Sequence, residues 1–170
     1  MRPVTVADVT DRYVGWLSDP LIHRFFETRR QTKEQITDYV LQRPPLELWA
    51  ICRAGTHIGN IRLWRPFPER HPLGEISLFI GERECWGRGF ATEAIARICE
   101  WGFDHGPPID PRVPVPSFKK IGASMYAGHT ASMRAFAKAG FRLEGIRRKH
   151  RMFEGQMTDL YEMGICDDER

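Results

Sequence analysis

Small residues stand at alternate positions just before a helical pattern in the stretch GRGFATEA. Gly87, Gly89 and Ala91 let another molecule approach the backbone closely. The free N–H groups of a helix start, together with the helix dipole, favour a negative charge there. Such a loop suits a phosphate or pyrophosphate group, to which Arg88 adds a formal charge and Thr92 a hydroxyl. A tight strand-to-helix turn without a ligand requires the same small residues, and the spacing matches neither GxxxxGK[ST] nor GxGxxG.

The elements that must position this loop follow from hydrophobic periodicity and turn residues. Two helices come first, and the second has Thr32 as its N-cap and Gln35 at the third position of a capping box. Three strands follow, of which the last covers residues 75–80, and a helix then covers 91–103. A strand over 120–126, a short helix that ends at a glycine, and two long tail strands complete the order. This order predicts an α/β fold with a mixed, mostly antiparallel sheet flanked by helices.

The length of 170 residues, with 42% hydrophobic and 28% charged residues, predicts one domain over residues 1–170. Residues 1–45 form a helical segment in this prediction, and residues 46–166 form the sheet core. Prolines are concentrated in residues 104–120. Because proline lacks a backbone donor and interrupts helices, we expect a surface loop there.

Composition and charge also bear on the class of protein. The start of the chain lacks the apolar core of a signal peptide, and no apolar run reaches the length of a membrane span. We therefore expect a cytoplasmic protein without a membrane partner. The net charge of +3 argues against a dedicated nucleic-acid binder. Four scattered cysteines and six histidines without ligand spacing argue against a metal site.

Two separated motifs, in the right order on the predicted elements, make the chain resemble the GNAT acetyltransferase superfamily. The similarity is to the branch with ribosomal-protein alanine and amino-sugar N-acetyltransferases, and it spans residues 46–165. The first superfamily motif is [QR]-x-x-G-x-[GA], and the second is N-x-x-S-x-x-x-Y before a helix that ends in Gly-Phe. In this chain their positions are occupied by Trp86, Gly89 and Ala91, and by His129, Ser132 and Phe136.

The resemblance implies a site for acetyl coenzyme A. Family members bind it in a V-shaped gap between two splayed parallel strands, which correspond to residues 75–80 and 120–126. The pantetheine arm would pair with the inner strand edge, and the pyrophosphate would lie on the glycine-rich loop. The cofactor-binding residues that the resemblance implies are Phe79, Ile80, Gly87, Arg88, Gly89, Phe90, Ala91, Thr92, His129, Ser132 and Phe136.

Direct transfer of an acetyl group to an amine requires a base and an acid. Glu75 is the expected base, because it opens the strand that leads into the site and because apolar surroundings raise the pKa of a carboxyl. The tyrosine that the family commonly uses as the acid is replaced by Phe136, so Ser132 is the expected acid. An exposed carboxylate at Glu75 and a structural serine at Ser132 are the alternatives. Other candidates for the base are Glu27, His23 and His129, and for the acid Tyr126 and His129.

The implied function is N-acetylation of a primary amine. Arg24, Arg29 and Arg30 lie in the segment that would cover the acceptor, and guanidinium groups bind diphosphates. The expected acceptor is therefore a nucleotide-linked amino sugar or another small molecule. A peptide N-terminus is the runner-up, as in the ribosomal-protein alanine acetyltransferases. Because of Phe136, a coenzyme A-binding module without chemistry is a further alternative. The tail strands could pair two copies into a homodimer.

Overall fold

Seven strands form one sheet in the order β1-β2-β3-β4-β5-β7-β6, in a computed structural model that describes residues 1–26, 32–42, 47–67, 71–105 and 117–170. The strands are β1 (Arg2–Pro3), β2 (Leu48–Arg53), β3 (Thr56–Trp64), β4 (Leu73–Ile80), β5 (Lys120–Tyr126), β6 (Arg142–Phe153) and β7 (Gln156–Cys166). Neighbouring strands are antiparallel except β4 and β5, which are parallel.

The helices are α1 (Asp11–Ser18), α2 (Pro20–His23), α3 (Lys33–Leu41), α4 (Phe90–Asp104) and α5 (Thr130–Lys138). The predicted mixed sheet flanked by helices is therefore confirmed. The two-residue strand β1 and the one-turn helix α2 were not predicted, because both are too short to show a period in the sequence. None of the helices in the described residues is long and apolar enough to cross a membrane.

Local signals explain where the helices begin and end. Thr32 caps α3: its hydroxyl accepts a hydrogen bond from the backbone N–H of Gln35. The side-chain oxygen of Gln35 in turn accepts a hydrogen bond from the backbone N–H of Thr32, so the predicted capping box is confirmed. Gly140 ends α5 with a φ of +95°, a conformation that favours glycine.

Two apolar clusters lie on opposite faces of the sheet. The larger one is enclosed by α4 and α5 and includes Ile76 of β4, which is 3% exposed. The smaller one joins α1, α2 and α3 to the other face, where Phe79 of β4 packs against it. Because successive side chains of a strand point to opposite faces, β4 serves both clusters and holds Glu75, Ser77 and Phe79 on the face of the three N-terminal helices.

The expectation of a surface loop over residues 104–120 is wrong at both ends. Asp104 still belongs to α4, and Lys120 already belongs to β5. Phe118 is completely buried, with its ring 3.1 Å from where a side chain at Gly74 would begin. Prolines indicated a loop, but they carry no information about an aromatic anchor that follows them. Residues 106–116 lie outside the described part of the chain.

Candidate functional site

The parallel strands β4 and β5 pair over three residues only. Leu73 faces Lys120, Gly74 faces Ile121 and Glu75 faces Gly122. Both strands nevertheless continue, β4 paired with β3 as far as Ile80 and β5 paired with β7 as far as Tyr126. The two strands therefore diverge beyond Glu75 and leave a V-shaped gap. Along the gap, the backbone groups that face inward have no partner strand within the described residues, and they could pair with an extended molecule.

The glycine-rich loop lies between β4 and α4, at the open end of this gap. Gly87 and Gly89 have φ values of +69° and +88°, and no atom lies within 4 Å of where their side chains would begin. Gly89 is also the N-cap of α4, and no side chain caps this helix start. The residues predicted to hold a pyrophosphate thus form an open backbone cradle with uncapped N–H groups.

Trp86, which stands where the family motif has Gln or Arg, closes the loop that leads to the cradle. Its indole Nε1 donates a hydrogen bond to the carbonyl oxygen of Ile80 at 2.8 Å. The neighbouring Cys85 is 2% exposed and packs in the larger cluster. These two contacts fix the loop from both sides of its turn, so the replacement of the polar motif residue is structurally accounted for.

Glu75 lies at the closed end of the gap and is half-buried. A side chain at Gly122 would begin 3.8 Å from its Oε1, so the carboxylate lies over strand β5. Within the described residues, this carboxylate has no hydrogen-bond or ion-pair partner. Burial raises the pKa of Glu75, the negative charge of Glu162 raises it further, and Arg147 lowers it. A carboxylate of this kind can accept a proton near neutral pH more readily than an exposed glutamate can.

His129 is the N-cap of α5, directly after β5, and its ring stacks on Phe25 at a centroid distance of 3.9 Å. Phe25 in turn stacks on Phe153 at 5.1 Å. Burial lowers the pKa of His129 to about 4, and the positive charge of Arg24 contributes to this shift. His129 is therefore neutral at neutral pH and is a poorer base than Glu75, although its ring nitrogens can still form hydrogen bonds.

The two predicted residues on α5 have different surroundings. Ser132 is half-buried, and within the described residues its hydroxyl has no hydrogen-bond partner. Phe136 is 3% exposed, and its ring contacts that of Phe141 edge-on at 4.9 Å. Ser132 is thus placed to act outside its own helix, whereas Phe136 fills space in the larger cluster.

A groove of about 360 Å³ lies between the N-terminal helices, the end of β5 and the β6–β7 turn. It is lined by Pro20, His23, Arg24, Phe26, Tyr126, Met152, Phe153 and Glu154. Arg24 spans it, with Nε 2.8 Å and Nη2 3.0 Å from the two carboxylate oxygens of Glu154. The guanidinium also lies 5.5 Å from the centre of the Phe153 ring. The groove therefore combines aromatic walls with one exposed pair of opposite charges.

Three predicted residues cannot be compared with this site. Glu27, Arg29 and Arg30 lie outside the described residues. Of the predicted acceptor residues the structure describes Arg24 alone, and its guanidinium is engaged by Glu154. Within the described residues, no group of three or more His, Cys, Asp or Glu is placed to hold a metal ion.

The sequence interpretation did not include Phe25, Phe153 and Glu154. The two tail strands were predicted to join through residues 154–156; Glu154 has a φ of +48°, and Gln156 already belongs to β7. Periodicity shows that two strands turn there, but it does not show that this turn folds over α2. The alternation of β6 leaves Phe153 at a strand end, where no pattern distinguishes a groove wall from an exposed side chain.

Comparisons with known proteins agree with this geometry. An uncharacterised N-acetyltransferase of Bacillus subtilis, YoaA, is 30% identical over 113 residues, which is 65% of this chain and 57% of that protein. The human alpha/beta-tubulin-N-acetyltransferase 9 is 26% identical over 156 residues, which is 82% of this chain and 70% of that protein. The matches to YoaA and to protein p20 of Bacillus licheniformis span 57% and 47% of those relatives' own lengths.

Solved structures share the fold at low sequence identity. A GNAT acetyltransferase from Bacillus anthracis superimposes with a TM-score of 0.82 at 20% identity, over 99% of this chain and 94% of that one. The ribosomal-protein-alanine N-acetyltransferase of Brucella melitensis gives 0.75 at 20% identity, over 97% and 98%. Spermidine N-acetyltransferase of Vibrio cholerae, solved with coenzyme A and spermine, gives 0.80 at 16% identity, over 99% and 95%.

The family itself is shown by a match that includes both arms of the V-shaped gap, the glycine-rich loop and the start of α5. Residues 1–142 match the family described as the acetyltransferase (GNAT) domain. Since this match covers most of the 170 residues and the structural neighbours agree with it, the chain belongs to the GNAT acetyltransferase family.

Proposed function

We propose that the protein transfers an acetyl group from acetyl coenzyme A to a primary amine. The observation that carries the proposal is the gap between β4 and β5. At its closed end stands a glutamate that has no partner among the described residues, and beyond its open end lies an open glycine cradle. Family membership supplies the reaction class. The gap supplies the place, because its inner strand edges and the N-termini of two helices meet at one end of the sheet.

The residues of this chain fit acetyl coenzyme A at two separate points. The inner edge of β4 near Phe79 and Ile80 has no neighbouring strand within the described residues, although the carbonyl oxygen of Ile80 accepts a hydrogen bond from Trp86. The other inward groups of this edge can bond an extended, peptide-like arm, because the amide groups of the arm match those of a strand. The cradle of Gly87 and Gly89 leaves room where side chains would otherwise stand, and Arg88 is exposed beside it. When bound there, acetyl coenzyme A supplies the acetyl group as a thioester.

Glu75 acts as the base in this proposal, through water. With a rise of about 3.3 Å per strand residue, Phe79 lies roughly 13 Å from Glu75, too far for direct proton transfer from an amine at the wide end of the gap. Between them, on the same face, lie the exposed side chains of Ser77 and Ser124. These hydroxyls can hold a short chain of water molecules that carries the ammonium proton to Glu75.

The remaining steps use a backbone group and Ser132. A backbone N–H near Ile80 donates a hydrogen bond to the oxygen on which negative charge develops during the attack of the amine. Ser132 donates its hydroxyl proton to the leaving sulfur, and it is reprotonated, through water, by the proton that the attacking nitrogen loses as the amide forms. Its half-buried hydroxyl, which has no partner within the described residues, supports this role.

The acceptor is proposed to bind in the groove beside Phe26 and Tyr126. The groove has a volume of about 360 Å³, which suits a small molecule or the first residues of a peptide. Arg24 presents a forked donor there that fits a phosphate. We therefore keep a nucleotide-linked amino sugar as the proposed acceptor, with its diphosphate replacing Glu154 on Arg24. Phosphate binding in this form requires that the Arg24–Glu154 pair open.

Substitutions in the Arg24–Glu154 pair test the acceptor, because the direction in which they change KM depends on the charge of the acceptor. Glu154→Gln frees Arg24 and should lower KM several-fold for a nucleotide-linked amino sugar, whereas Arg24→Gln should raise it. For a polyamine both signs reverse, because Glu154 would attract the amine and Arg24 would repel it. The comparison uses the nucleotide-linked sugar, the same sugar without its nucleotide, spermidine, and short peptides that begin with alanine. A preference for peptides that both variants leave unchanged would reject the sugar and favour a peptide N-terminus.

A peptide N-terminus remains the second candidate, because one structural neighbour is named for ribosomal-protein alanine. A coenzyme A-binding module without chemistry is the third, because Phe136 has no proton to donate. Release of free coenzyme A from acetyl coenzyme A in the presence of an amine panel separates them. Amine-dependent release supports the proposed activity, whereas tight binding of coenzyme A without release on any amine would show a module that no longer reacts.

A further inference from the structure

The sheet face around Glu75 carries several charged side chains that the proposed chemistry does not use. Glu162 of β7 faces Ser124 of β5, two residues beyond the Gly122 that faces Glu75. Directly opposed residues share a face, and so do residues two apart on one strand. Glu75, Gly122, Ser124 and Glu162 therefore lie on one face, and the glycine leaves open space over β5 between the two glutamates.

Arg147 of β6 holds Glu162 on this face. Its Nη2 lies 2.6 Å from Oε1 of Glu162, and the side chains of Arg147 and Glu162 are 54% and 32% exposed. Arg147 faces Leu160, two residues from Glu162, so the pair lies diagonally across two neighbouring strands. A carboxylate that is held this way keeps its place better than a free surface glutamate does.

The other charges that the described residues place on this face form separate couples, among them Arg142 of β6, which is bound to Glu169 at 2.8 Å. On β3, Arg62 is bound to Glu47, with Nε 2.6 Å from Oε1. On β5, Lys120 is bound to Glu144 of β6 at 2.6 Å. Among the charges of the described residues, that of Glu162 raises the pKa of Glu75 and that of Arg147 lowers it by less.

We propose that the Glu162–Arg147 pair is a positioning pair for the base. It fixes one negative and one positive charge beside the Glu75 carboxylate, and so decides at which pH Glu75 can take the proton of the substrate ammonium. This inference rests on the proposed function, in which Glu75 is the base. Neither Glu162 nor Arg147 touches the reacting atoms in this arrangement.

The test is the pH dependence of kcat/KM, which reports the ionisation of the free enzyme. Glu162→Gln removes the negative neighbour and leaves the Arg147 charge, so the acidic limb should shift to lower pH. Arg147→Gln removes the positive neighbour, so the limb should shift to higher pH. Glu144→Gln makes the same chemical change on the same face but in a separate couple, and it should leave the limb in place.

A second measurement follows Glu75 without catalysis. The carboxyl carbon of Glu75, labelled with ¹³C and assigned by its loss in Glu75→Gln, should titrate at lower pH in Glu162→Gln and at higher pH in Arg147→Gln. Both variants change exposed or half-exposed side chains, and circular dichroism checks that each is folded. If neither the acidic limb nor the carbon titration moves, the pair is merely structural and the inference is wrong.

The role of Glu75 as the base and the role of the Glu162–Arg147 pair can be rejected separately. If Glu75→Gln keeps the acidic limb of the wild type, the base assignment itself fails. If Glu75→Gln loses that limb but Glu162→Gln and Arg147→Gln leave it in place, the base stands and the positioning pair is rejected. Opposite shifts in the two variants, with an unmoved limb in Glu144→Gln, support both.

Discussion

Glu75 combines three properties at one residue: a position at the closed end of the gap, a raised pKa and no partner within the described residues. A base that must be ionised is active only above its pKa. Because the pKa of Glu75 is raised, turnover should be lost at a higher pH on acidification than it would be with an ordinary exposed glutamate as the base. Glu75→Gln cannot accept the proton at any pH.

We therefore expect Glu75→Gln to reduce kcat/KM by roughly 10²- to 10⁴-fold, the usual contribution of a general base. Affinity for coenzyme A should stay close to that of the wild type, because Glu75 does not line the cradle. Steady-state kinetics and a coenzyme A titration measure the two effects. Full activity of the variant would move the role to another group or to water alone.

His129 gives a prediction about stability rather than rate. Its pKa lies at about 4 in the folded protein, below the ordinary 6.5, chiefly because it is buried. The unfolded chain therefore binds a proton that the folded protein does not. This contribution to stability is complete above about pH 6.5 and is lost as the pH falls towards 4.

In His129→Asn, the free energy of unfolding should depend less on pH in this window, even though the lost stacking on Phe25 lowers it overall. Urea unfolding at a series of pH values measures the slope. His71→Asn, at an exposed histidine, is the control and should keep the slope of the wild type. An equal slope in His129→Asn and the wild type would mean that His129 is not buried as neutral imidazole.

At the residue scale, the backbone conformation of the glycine-rich loop was the easiest part to predict from sequence. Gly87 and Gly89 have positive φ, as a backbone cradle requires. Because glycine adopts positive φ more readily than other residues do, its presence in the sequence indicates such a backbone. The charges that act on Glu75 were not predictable. Arg147 and Glu162 are 15 positions apart in sequence, and only the strand register brings them together.

At the scale of elements, the N-terminal helices are fastened to the loop that leads to the cradle. Glu82 accepts hydrogen bonds from Nε1 of Trp16 at 3.0 Å and from Nε of Arg12 at 2.6 Å. Arg83 donates to the carboxylate of Asp19, the N-cap of α2. These hydrogen bonds therefore join the segment proposed to cover the acceptor to the segment proposed to hold the pyrophosphate.

The closest contact in this junction lies between Gly81 and Trp16. A side chain at Gly81 would begin 2.1 Å from an indole carbon of Trp16, which is itself 6% exposed. Gly81→Ala should therefore displace α1 and destabilise the fold by about 1–3 kcal/mol, the usual cost of overpacking. This corresponds to a fall in Tm of roughly 2–12 °C.

Gly15→Ala is the matched control for this prediction, since it adds the same methyl group one residue from Trp16. No atom lies within 4 Å of where its side chain would begin, and a glycine within a helix is unfavourable. Its Tm should stay equal or rise. Calorimetry on both variants measures the difference, and an unchanged Tm in Gly81→Ala would show that the junction is looser than described.

The order and type of the longer elements followed from the sequence because each of them has its own period, which the short β1 and α2 lack. The sheet order did not follow, because the placement of β5 between β4 and β7 depends on contacts between distant residues. Phe118 shows the same limit. Its place in the core is set by the space that Gly74 and Gly102 leave open, which no local pattern records.

At the scale of the whole molecule, the described residues form one sheet in which the parallel strands β4 and β5 diverge. The N-termini of α4 and α5 lie at the open end of the gap between these strands. The edge strand β6 contains a bulge in which Lys149 is exposed. The backbone N–H of Lys149 donates a hydrogen bond to the carboxylate of Asp159 at 2.8 Å. Bulges and charges of this kind discourage pairing along an edge. The homodimer through the tail strands stays a prediction, which light scattering of the purified protein can test.

The most direct test of the central claim is binding of coenzyme A at the glycine cradle, measured as a thermal shift. At a concentration of about 100 times Kd, the ligand should add about 2.7 kcal/mol to stability and raise Tm by roughly 5–10 °C. Gly89→Glu, which puts bulk and negative charge into the cradle, should abolish the shift. Gly55→Glu, at a glycine with a φ of +80° and equally open surroundings in the β2–β3 turn, should keep it. No shift in the wild type, or an equal shift in Gly89→Glu, would contradict the account.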